Sequence, residues 1–63
     1  MEERIEKIIE KYYAHHVPKI KDVILLDESP ELGITCIRWS EGDKKITVKS
    51  ILQGDEMVIT ELK

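Results

Sequence analysis

Between residues 2 and 16 the apolar side chains Ile5, Ile8, Ile9, Tyr12, Tyr13 and His16 recur at steps of three and four. That spacing places them on one stripe of a helix and predicts an amphipathic helix over about 2–16. Glu2, Glu3 and Glu6 crowd its first turn, where carboxylates suit the helix dipole, and Glu3 with Lys7 forms a favourable i,i+4 pair. Pro18 cannot continue a helix and pushes Val17 towards an extended backbone, so the helix should stop near His15 or His16.

Beyond Pro18 the period changes. Val23-Ile24-Leu25-Leu26 is a short unbroken apolar run, the pattern of a strand covered on both faces, and predicts a first strand over about 20–26. Asp27-Glu28-Ser29-Pro30-Glu31 then reads as an acidic turn. A second strand is expected over about 32–39. Within it Ile34 and Cys36 point one way, while Thr35, Ile37 and Trp39 point the other. Ser40-Glu41-Gly42-Asp43 marks the next turn. Lys44 to Leu52 alternates, with Ile46, Val48, Ser50 and Leu52 on one face and Lys45, Thr47, Lys49 and then Ile51 on the other. Gln53-Gly54-Asp55 is a tight turn in which Gly54 supplies a positive φ, and a fourth strand follows over about 56–62.

One helix followed by four strands on short turns predicts a single α+β domain over residues 1–63: an N-terminal helix laid on a four-stranded antiparallel meander. In outline this order resembles cystatin-like folds. The inhibitory motif of that family is absent, and nothing of its function carries over.

Chain length sharpens the problem. A 63-residue chain buries only about 60% of the surface its unfolded form exposes. Disulfides, a structural metal or oligomerisation are the usual remedies. A lone cysteine, Cys36, excludes an internal disulfide and any zinc site built on several thiolates, which leaves oligomerisation. With 41% hydrophobic and 37% charged residues the chain has material for a core, and no apolar run approaches the ~18 residues of a membrane span. The acidic start Met1-Glu2-Glu3-Arg4 is unlike a signal peptide, so a cytoplasmic protein is expected. A net charge of −3 argues against a protein devoted to phosphate backbones.

Candidate chemistry is sparse. Tyr12, Tyr13, His15 and His16 gather at the end of the helix, with Cys36 as a potential neighbour, and such groups bind metals or move protons. Adjacent histidines diverge by ~100° on a helix, whereas a shared metal site wants i,i+4. One histidine is therefore expected to pack on the stripe and the other to face solvent. Cys36 in mid-strand reads as a small buried hydrophobe. A calcium reading of Asp27 to Glu31 fails because Pro30 interrupts the required alternation of oxygen ligands. No phosphate loop, serine-nucleophile motif or diagnostic carboxylate pair is present, so no catalytic residue, cofactor or metal ligand is assigned and the chain is read as a non-enzyme.

What does accumulate is apolar surface. Val23, Leu25, Thr35, Ile37, Trp39 and Ile51 are read as lying opposite the helix, a patch unusual for a monomer. Thr35, Ile37, Arg38, Trp39 and Ile51 are the expected interface residues, with Trp and Arg as typical anchors. The competing reading makes Trp39 the main core residue, covered by the chain's own helix. The functional expectation is a small interaction protein, a homodimer through that sheet face, binding a further protein of unknown identity. The acidic segment with Asp27, Glu28 and Glu31 is a candidate for a basic partner. An alternative is a small nucleic-acid-binding regulator using Trp39 as a stacking platform, with Lys45, Lys49 and Arg38 on phosphates.

Overall fold

A computed structural model of the chain describes residues 3–62. Helix α1 (Glu3–Tyr12) is followed by β1 (Lys21–Ser29), β2 (Ile34–Glu41), β3 (Lys44–Gln53) and β4 (Glu56–Leu62). The strands form one antiparallel sheet in the order β1-β2-β3-β4, and α1 lies on one face with contacts to β4. This is the α+β meander the pattern predicts.

The helix is shorter than the stripe suggests. Tyr12 is its last residue, and Ala14 and His15 both take left-handed backbone angles, φ 53° and 71°. The His15 amide donates to the Glu10 carbonyl at 2.8 Å and the Ala14 amide to Lys11 at 3.3 Å. These are the two bonds of a Schellman cap, built here around Ala14 where glycine is usual. The chain has reversed before His16, so both His15 and His16 are exposed and neither packs on the stripe. At the other end the expected Glu3–Lys7 pair forms at 3.3 Å; Glu2 lies outside the described residues.

Two two-residue loops, Gly42-Asp43 and Gly54-Asp55, set the register of β2, β3 and β4. Each glycine has a φ near +60°, the mirror-image geometry that matches the right-handed twist of the flanking strands. Ile34 therefore pairs with Ile51, Cys36 with Lys49 and Trp39 with Ile46, while Ile51 pairs with Val58.

The first connection differs from expectation. The segment Asp27-Glu28-Ser29 belongs to β1, and the turn runs through Pro30 to Gly33, closed by the Leu32 amide donating to the Ser29 carbonyl at 3.0 Å. The ladder between β1 and β2 has two register shifts, and Asp22 has a left-handed φ of 55°. Irregularities of this kind blunt a sheet edge, and β1 is an edge strand. It is not covered on both faces: Ile24, Leu25 and Leu26 are all exposed. The acidic cluster is also dispersed, since Glu28 is bound by Arg4 while Asp27 pairs with Cys36.

The core lies between α1 and the sheet. Ile8 and Ile9 meet Ile37, Trp39, Ile46 and Val48, with Ile5, Tyr12, Tyr13, Met57 and Ile59 around them. Thr35 and Ser50, which pair with each other, are buried on the same face.

Candidate interaction surface

Residues directly opposed in an antiparallel ladder share a face, so the registers sort the sheet into two sides. On the helix side Thr35, Ile37 and Trp39 align with Ser50, Val48 and Ile46. Trp39 and Ile37 are wholly buried there. Of the five residues expected to form one interface, Thr35, Ile37 and Trp39 are thus under α1, and Arg38 and Ile51 are on the opposite side. The covered-core reading of Trp39 is the one the structure realises.

Trp39 is held by the end of α1. Its indole Nε1 donates to the Tyr13 hydroxyl at 2.9 Å, and that hydroxyl donates to Glu41 Oε1 at 2.7 Å. Tyr12 packs edge-on against Trp39, with ring centroids 5.3 Å apart, and its hydroxyl donates to Glu61 Oε1 at 2.8 Å. The bond to Glu61, followed by burial, pushes the Tyr12 phenol up to about 12, because ionisation would place a second negative charge beside the carboxylate. The Tyr13 phenol is raised by burial first and by Glu41 second, opposed by the indole N–H. The two tyrosines tie the helix C-terminus to β2 and β4, a positioning role. Cys36 is on the other side of the sheet from this cluster, which separates the thiol from the tyrosines. Among the described residues, no three His, Cys, Asp or Glu side chains converge closely enough to hold a metal ion.

The side away from α1 has no cover. Its residues fall into rows across the strands. One row, at the Pro30–Gly33 end, is Ser29–Ile34–Ile51–Val58. The next is Asp27–Cys36–Lys49–Thr60, then Ile24–Arg38–Thr47–Leu62, and finally Lys21–Ser40–Lys45 at the Gly42-Asp43 end. Apolar side chains fill most of the first row and return at the two outer positions of the third, Ile24 and Leu62; Ile24, Val58 and Leu62 are each about two-fifths exposed. Across these four rows, four cations stand against one carboxylate. No aromatic residue appears in any of the rows. Trp39 does not share a side with Lys45 and Lys49, so a stacking platform flanked by those lysines does not exist.

Ile24, Ile34, Val58 and Leu62 are not among the residues that the hydrophobic pattern alone points to as an interface. The signal for them lies in the two Gly-Asp loops, which oppose Ile34 to Ile51 and Ile51 to Val58 once each loop is taken as two residues long. Among the described residues no helix is long and apolar enough to cross a membrane. No protein-family model, curated protein or solved structure matches the chain.

Proposed function

We propose that the protein is a small interaction module that associates with a second copy through the uncovered face of its sheet, leaving the helices outermost and free to meet a further protein partner. One observation carries this reading: a four-stranded sheet has a helix on one side only, and its other side presents Ile34, Ile51 and Val58 as a continuous row, with exposed Ile24 and Leu62 two rows away. A single layer of helix on sheet leaves half the sheet's apolar side chains wet, and a second layer is the ordinary solution. A copy covering ~800 Å² per subunit, the area of a standard interface, would also relieve the shortage of core in so short a chain. The reading places the protein in the cytoplasm, where the lone thiol of Cys36 stays reduced.

Light scattering on a sizing column across a dilution series tests it, with Ile51→Lys as the comparison. A wild-type dimer that becomes a folded monomer on Ile51→Lys is the expected result, with folding checked by circular dichroism. A wild-type monomer at tens of micromolar, or an unchanged dimer in the variant, contradicts it.

A further inference from the structure

Resting on that self-association, we infer how the second copy is oriented: its strands run in the same direction as those of the first, related by a two-fold axis parallel to the strands between β2 and β3. Two sheets stacked face to face by a two-fold axis have two choices. An axis parallel to the strands lays β1 over the partner's β4 and β2 over the partner's β3, row upon row. An axis across the strands lays each strand over its own copy and inverts the rows.

The two choices have opposite consequences here. With the axis across the strands, Ile51 would lie on the partner's Lys45, Ile34 on the partner's Ser40 and Ile24 on the partner's Asp27, burying apolar area against charged and polar groups that need water. With the axis along the strands, the first row meets itself, Ile34 facing Ile51 of the partner subunit and the reverse, and Val58 facing the partner's Ser29. Ile24 then faces the partner's Leu62 at both corners of the third row. The charges also separate. Lys49 faces the partner's Cys36, Arg38 the partner's Thr47 and Lys45 the partner's Ser40, so none of these cations opposes another, and Asp27 faces the partner's Thr60. The face is self-complementary about one axis and mismatched about the other. Aligned sheets packed ~10 Å apart with a rotation of ~30° form such interfaces routinely.

Thiol crosslinking in a Cys36→Ser background reads the axis directly. The pair Asp27→Cys with Thr60→Cys is about 14 Å apart within one chain, three ladder spacings, but faces its complement in the inferred dimer. A short bismaleimide should convert this pair to covalent dimers. Asp27→Cys alone should link at least tenfold less. The pair Ile24→Cys with Leu62→Cys, on exposed positions, repeats the test should the first pair perturb β1. Equal linking by Asp27→Cys alone overturns the inference in favour of the crossed axis. A dimer by mass in which neither pair links overturns the orientation but leaves self-association standing. A wild-type monomer by mass overturns both.

Discussion

Tyr13→Phe isolates the contact that fixes Trp39. The substitution keeps the ring, and with it the packing against Tyr12 at 4.8 Å and Trp39 at 5.9 Å between centroids. It removes only the hydroxyl that accepts from the Trp39 indole and donates to Glu41. Trp39 is wholly buried, so its N–H has no water to turn to, and an unsatisfied buried donor costs ~1–3 kcal/mol. For a domain this small, 1 kcal/mol corresponds to ~4–8 °C in Tm, so a loss of about 2 kcal/mol lowers Tm by roughly 8–16 °C. Tyr12→Phe is the matched control. It deletes a hydroxyl bonded to Glu61 in a solvent-exposed position, strands no buried donor, and should cost less than ~1 kcal/mol. Thermal unfolding followed by tryptophan fluorescence and far-ultraviolet circular dichroism, at one fixed protein concentration, measures both. Equal effects of the two substitutions would refute the claim that the indole bond, rather than tyrosine hydroxyls in general, secures the helix end.

Three further outcomes follow from the backbone and the phenols. Ala14→Gly should stabilise: a left-handed L-residue costs ~1–2 kcal/mol, glycine returns ~0.4–1 kcal/mol of that as unfolded-state entropy, and denaturant unfolding should show a net gain of about 0.5–1 kcal/mol. Gly33→Ala should destabilise by at least about 2 kcal/mol on the same measurement, because φ is 69° and a Cβ would sit 2.9 Å from the Leu52 carbonyl oxygen. For the pH dependence, the Tyr12 phenol rises in the fold from 10.0 to about 12, so its contribution is fully present below pH 10 and is lost as pH climbs through 10 to 12. Stability should therefore fall over that window in the wild type and fall less in Tyr12→Phe, with phenolate absorbance rising as unfolding proceeds.

Periodicity was enough for the elements and their order, because Ile5, Ile8, Ile9 and Tyr12 have no other regular arrangement and the strands alternate between turn residues. It was not enough for the sides of the sheet. Lys45, Thr47 and Lys49 mark the wet side of β3, and a two-residue loop at Gly42-Asp43 opposes them to Ser40, Arg38 and Cys36. Trp39 must then share the side of Ile46 and Val48, where the helix is. Taking Ser40 to Asp43 as a longer turn hides that register, and Trp39 then reads as surface. The stripe overshoots the helix end because His16 continues it numerically, whereas the left-handed turn at Ala14 and His15 has no glycine to announce it. The bulges of β1 have no local signature either: Val23 to Leu26 looks like a strand covered on both faces, and only its place at the edge of the sheet shows otherwise.

Methyl and amide NMR shifts recorded from micromolar to millimolar protein show most directly which side of the sheet meets the second copy. Self-association through the uncovered face predicts concentration-dependent shifts at Ile34, Ile51, Val58, Ile24 and Leu62, with the exposed positions of α1 unmoved. Shifts confined to α1, or none across the whole range, would contradict it.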